Sequence, residues 1–128
     1  MPEFLNIWVE WHPYFVWGFE HTSDEHLVNV AVKHDYNKRV GKWNATKKNN
    51  RLFIGEWSLA TPSNMRCNNP DFFYKFASEQ LKVHDQAEAG WTFWSWKVTG
   101  DGNSDVGAWS LQELLKDDQI AKMFRNSS

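Results

Sequence analysis

The chain has 128 residues, of which 16% are aromatic, with a formal net charge of -2 and an isoelectric point near 6.2. That length holds a single domain, about half of a typical eight-stranded (β/α) barrel. The charge gives no pull toward nucleic acid or an anionic membrane, and no apolar run is long enough to span a bilayer. The start carries no signal-peptide pattern. Nine Trp and nine Phe stand in an otherwise fairly polar chain. Most must serve a core, but flat apolar indoles also suit the C–H face of a pyranose.

Three strand-then-helix units follow in chain order. Leu5 to Trp11 is apolar and β-prone and ends at His12-Pro13, which predicts a first strand. Thr22-Ser23-Asp24-Glu25 is a helix-start pattern, with Glu25 placed to reach back to Thr22. A helix is predicted from Ser23 to about Arg39, with Leu27, Val30, Ala31 and His34 on its buried stripe. Lys38 to Arg51 is basic and Asn-rich and reads as a solvated loop.

Leu52 to Trp57 is the second predicted strand. After a loop over Thr61 to Asn69, Asn69-Pro70 opens a helix that runs to about Ala89, where Gly90 stops it. Trp91 to Val98 is the third predicted strand, and Gly100 to Asp105 is a turn-rich loop. Ser110-Leu111-Gln112-Glu113 is a capping box opening a last helix that buries Leu111, Leu114, Leu115 and Met123. Strands alternating with helices imply an α/β fold with a parallel sheet: one partial (β/α) barrel domain over residues 1–128.

In such folds the reactive side chains sit at the C-terminal ends of strands. Those ends hold His12 and Tyr14, then Glu56, then Trp94 to Lys97. Glu56 lies in Phe53-Ile54-Gly55-Glu56-Trp57-Ser58, at the end of an apolar strand, where a carboxylate needs hydrogen bonds to offset desolvation. A structural carboxylate held by His or Tyr is one reading, and a glycosidase carboxylate is the other. Glu10 shares strand parity with His12 and could complete a carboxylate pair with Glu56, or join a passive network.

Other patterns carry no site. His21 and His26 beside Glu20 and Glu25 lack a metal spacing, and Asp101-Asn103-Asp105 lacks the glycine and the final Glu of a calcium loop. The residues imply neither metal nor cofactor; a phosphate-binding glycine loop and a Ser nucleophile elbow are both missing. Cys67 is alone and cannot form an internal disulfide, and Asn44 and Asn126 begin glycosylation sequons.

The strings WHPYFVW, FIGEWS and GWTFWSWK, with AWSLQ behind them, resemble in order and spacing the strand-six, strand-seven and strand-eight segments of fungal-type exo-β-1,3-glucanases of glycoside hydrolase family 5. The resemblance runs from about Asn6 to about Leu115. It implies a retaining mechanism with Glu56 as nucleophile, His12 and Tyr14 lining the catalytic subsite, and Trp94 or Trp96 flooring the first sugar subsite. It also implies an extracellular or cell-wall setting and a β-glucan or oligosaccharide ligand. The acid/base Glu of that family follows an Asn, and no Asn-Glu pair occurs in this sequence.

Two function classes follow. The chain is a β-glucan hydrolase fragment or short homologue, weakly active or inactive alone, or it is a non-catalytic glucan-binding or interaction module. Three units also leave sheet edges and an inner face with Trp8, Phe53 and Phe93 uncovered, which predicts self-association, as a dimer.

Overall fold

The computed structural model describes residues 7–46, 50–99 and 106–127. Strand β1 (Trp8–Trp11) leads through a loop to a long helical run. That run comprises α1 (Asp24–His26), a π-helical segment (Leu27–Tyr36) and α2 (Asn37–Thr46). Strand β2 (Arg51–Ile54) follows, then α3 (Met65–Asn68), α4 (Pro70–His84), α5 (Val106–Trp109), α6 (Leu111–Leu114) and α7 (Asp118–Asn126). Leu5 and the Gly100 to Asp105 turn lie outside the described residues.

β1 and β2 pair in parallel, Trp8 opposite Arg51 through Trp11 opposite Ile54. The predicted third strand is shorter than its pattern suggests: only Trp91 bridges to β2, opposite Ile54. Ile54 N donates to Gly90 O and Thr92 N to Ile54 O, after which the chain turns away to bond elsewhere. Trp94 N reaches Trp57 O, and Ser95 N reaches Trp109 O. The backbone of Ser95 and Trp96 is thus spent on the 109–112 segment, where Leu111 N and Gln112 N donate back to Ser95 O and Trp96 O. Gly90 takes φ +84°, a left-handed turn that puts Trp91 in line with β2.

Among the described residues one side of the sheet is packed and the other is open. Leu52 and Ile54 are fully buried against a core of Leu27, Val28, Val32, Val40, Trp57 and Phe76. Phe93 belongs to that core, not to the open side: its ring meets Trp57 at 4.9 Å and Phe124 at 5.9 Å. α4 packs against the π-helical segment and α7.

The long helical run corrects the sequence reading twice. Its buried residues are Leu27, Val28, Ala31, Val32, Tyr36 and Val40, whereas His34 is exposed and pairs with Asp35 at 2.8 Å. The wider i→i+5 turn shifts the apolar stripe off the 3.6-residue period that had placed His34 inward. The basic segment after Lys38 is helical to Thr46 rather than a loop. Arg39 lies over the Trp11 ring at 4.4 Å, Trp43 meets Trp11 at 5.6 Å, and Val40 is buried, so this stretch is amphipathic. Asn44, the first sequon, donates its amide to Gln86 O at 2.8 Å.

Caps follow the sequence with small displacements. Ser23, one place after Thr22, accepts from His26 N. Asn69 precedes Pro70 without capping α4; its amide donates instead to Asp24 at 3.1 Å. Ser110 caps α6, but the helix stops after Leu114 and a new one, capped by Asp117, starts at Asp118. Only Leu114 of the four expected core residues is fully buried, and Ile120 joins it.

Asp117 accepts from Gln119 N and Ile120 N and from Tyr74 OH at 2.7 Å. Although desolvation opposes it, this set holds its carboxyl below the ordinary value. Asp117→Ala is expected to cost about 1–2 kcal/mol, read as a lowered urea midpoint at unchanged slope.

Candidate functional site

The C-terminal ends of the strands converge. Gly55 N donates to Trp11 O at 3.0 Å, extending the β1–β2 ladder by one residue and setting Glu56 beside the chain that carries His12 and Tyr14. Tyr14 OH donates to Glu56 Oε2 at 2.8 Å. His12 Nδ1 stands 3.6 Å from the same oxygen, too far for a hydrogen bond, while its Nε2 meets Glu10 Oε1 at 2.9 Å. The imidazole therefore stands between two carboxylates, with one nitrogen toward each. Glu10 and Glu56 bracket His12 rather than facing each other as a pair.

The Glu56 side chain is 31% exposed, so solvent or a ligand can reach it. Partial burial, and then the hydrogen bond and negative charge of Glu56, push the Tyr14 phenol well above its ordinary pKa. Tyr14 is thus a fixed donor to the carboxylate, not a base. The absence of side-chain bulk at Gly55 matters here: a Cβ there would fall 1.7 Å from Glu10 Oε1. Glycine gives the Glu10 carboxylate room to lie across the backbone next to Glu56.

Aromatic rings surround this centre. Trp17 meets Tyr14 at 5.5 Å and Trp109 meets it at 5.4 Å, and the two indoles are 5.8 Å apart. Both indoles lie within motifs quoted from the sequence, Trp17 closing WHPYFVW and Trp109 inside AWSLQ, but the sequence reading gives neither a role. Trp17 is local to Tyr14, three residues on, whereas only the fold brings Trp109 to it. Trp94 and Trp96 are 52% and 61% exposed, and Trp94 is tied by its backbone to Trp57, the residue after Glu56. Exposed indoles of this kind are what a sugar ring packs on.

Among the described residues no cluster of three or more His, Cys, Asp or Glu could hold a metal, and no helix is long and apolar enough to cross a membrane. A cavity lined by His12, Tyr14, Phe19, Asp35, Tyr36 and Arg39 opens behind the loop after β1. It shares residues with the site without including Glu56.

Comparison with known sequences shows what the chain is similar to. Probable glucan endo-1,6-beta-glucosidase B of Aspergillus fumigatus is 27% identical over 94 residues, covering 68% of this chain and 21% of the relative. The protein of the same name from Neosartorya fischeri is 26% identical over 112 residues, covering 81% and 24%. The chain is similar to fungal glucan-degrading glycosidases. That from Aspergillus flavus is 38% identical over 55 residues, covering 38% of this chain. The chain spans about a fifth to a quarter of the length of the first of these relatives. No protein-family model matches it.

Proposed function

We propose that the chain is a β-glucan-directed glycoside hydrolase portion, three βα units of a (β/α) barrel, with Glu56 as the nucleophile of a retaining mechanism. The observation that carries this reading is the 2.8 Å hydrogen bond from Tyr14 to Glu56 at the mouth of a parallel sheet, beside the exposed indole of Trp17. In a retaining glycosidase the nucleophile attacks the anomeric carbon, the leaving oxygen takes a proton from a second carboxyl about 5–5.5 Å away, and water later releases the sugar. Tyr14 holds the Glu56 carboxylate in place, His12 positions Glu10 and lines the same pocket, and Trp94 or Trp96 carries the sugar ring.

Among the described residues no carboxyl faces Glu56 as an acid, so protonation of the leaving group is the deficient step. It is usually worth ~10²–10⁴ in rate. The resemblance of the motifs points to β-1,3 linkages in the exo mode and the names of the relatives to β-1,6 linkages in the endo mode, so both are substrates to test. An extracellular or cell-wall location goes with either.

A substrate whose leaving group needs no proton separates the two steps. Dinitrophenyl β-glucoside should transfer its sugar to Glu56, with bound hexose located there by mass spectrometry of the digested chain. Absence of both adduct and dinitrophenolate would remove the catalytic reading. Retention on insoluble β-1,3- or β-1,6-glucan with no adduct would favour the second reading, a non-catalytic glucan binder, which the lack of an acid facing Glu56 among the described residues supports.

A further inference from the structure

Among the described residues nothing covers one face of the β1–β2 sheet, and its side chains form a self-complementary pattern. Residues paired in a parallel ladder project to the same side. The packed side takes Val9, Trp11, Leu52 and Ile54; the open side takes Trp8 with Arg51 and Glu10 with Phe53. Trp8 is 57% exposed and the Glu10 side chain 54%, Arg51 is exposed, and Phe53 is half-buried.

Trp8 and Phe53 touch along one diagonal of this quartet, with ring centroids 6.2 Å apart. Glu10 and Arg51 take the other diagonal. Among the described residues Arg51 has no ion-pair partner, and Glu10 uses Oε1 on His12, leaving its second oxygen open. The outer edge of β1 is likewise unpaired among them.

We infer that this face docks a second copy of the same chain. Neighbouring strands lie about 4.8 Å apart and alternate residues of a strand about 6.6 Å apart. A two-fold axis lying in the interface along the Trp8–Phe53 diagonal sets each aromatic ring on its twin. The same axis brings Glu10 against Arg51 of the partner subunit, and by symmetry Arg51 against the partner's Glu10.

The two sheets then cross at roughly 70°, close to the orthogonal class of sheet packing. The rings supply an apolar centre and the two ion pairs set the register. The interface bears on the site as well: the partner's Arg51 takes the free end of the Glu10–His12–Glu56 run. This inference stands apart from the glycosidase reading and survives its failure.

Sedimentation equilibrium of the 128-residue chain at low micromolar concentration tests it. A species of twice 15.1 kDa is expected. Arg51→Glu should raise the dimer dissociation constant about tenfold or more, and Glu10→Arg should do the same. Combining the two exchanges the charges and should restore association to within about threefold of the native chain.

Both positions are exposed, and an unchanged far-ultraviolet circular dichroism spectrum will show that the variants fold. Trp8→Glu should separate the copies by placing a charge on its own twin. A native chain that stays monomeric overturns the inference and leaves the face to other strands of a longer polypeptide. A dimer indifferent to Arg51→Glu overturns it too, by placing the interface elsewhere.

Discussion

Glu56→Gln should lower dinitrophenolate release from dinitrophenyl β-glucoside about a thousandfold, about 4 kcal/mol in barrier height. The amide keeps the shape and still accepts from Tyr14, but it is a poor nucleophile and cannot form the glycosyl ester. Its position, 31% exposed and outside the core, predicts little change in stability. Tyr14→Phe separates positioning from chemistry. It removes one hydrogen bond to a charged group, worth about 1.5–3 kcal/mol, so a loss of about 10- to 100-fold is expected while the hexosyl adduct still forms on Glu56. Equal rates for native and Glu56→Gln protein would assign the activity to another group and end the nucleophile reading.

The parts of this site that were legible in sequence share a cause. Strand ends are fixed by where an apolar run stops, so His12, Tyr14 and Glu56 could be placed side by side before the fold was known, and the Tyr14–Glu56 bond follows from that placement. The Ser110 cap was equally local. What failed depended on partners distant in the chain. The basic stretch after Lys38 is polar by composition, and only the Trp11 ring, which receives both Arg39 and Trp43, shows why it coils. Trp91 to Val98 has strand composition throughout, yet after Thr92 its backbone bonds to Trp57 and then to residues 109–112 instead of β2. Trp109 reaches Tyr14 from 95 residues further along the chain, which no periodicity reveals. Whether further strands complete a barrel is a proposal resting on the motifs and on the parallel β1–β2 pair.

Mild acid should destabilise the folded chain through His84, a residue that the helix pattern alone did not mark. His84 is fully buried near the end of α4, edge-on to Trp57 at 4.4 Å and to Tyr36 at 5.6 Å. Neither ring nitrogen has a hydrogen-bond partner among the described residues. Burial pushes its pKa down to about 3, against an ordinary value of 6.5. The unfolded chain therefore binds this proton below about pH 6.5, while the folded chain refuses it until about pH 3.

Stability is complete above pH 6.5 and falls as the pH drops through that window. The limit for one proton is about 1.4 kcal/mol per pH unit. Between pH 7.5 and 4.5 the loss should reach about 2–3 kcal/mol, a large share of a small domain's net stability. His84→Leu, close in volume and unable to bind a proton, should flatten the urea midpoint across this range and leave the later decline to carboxylates such as Asp117. The same slope in both proteins, or a folded-state His84 titrating near 6.5 by NMR, would show that water reaches the imidazole. Because Trp57 carries this contact and directly follows Glu56, the acid-sensitive point of the core lies one residue from the proposed nucleophile.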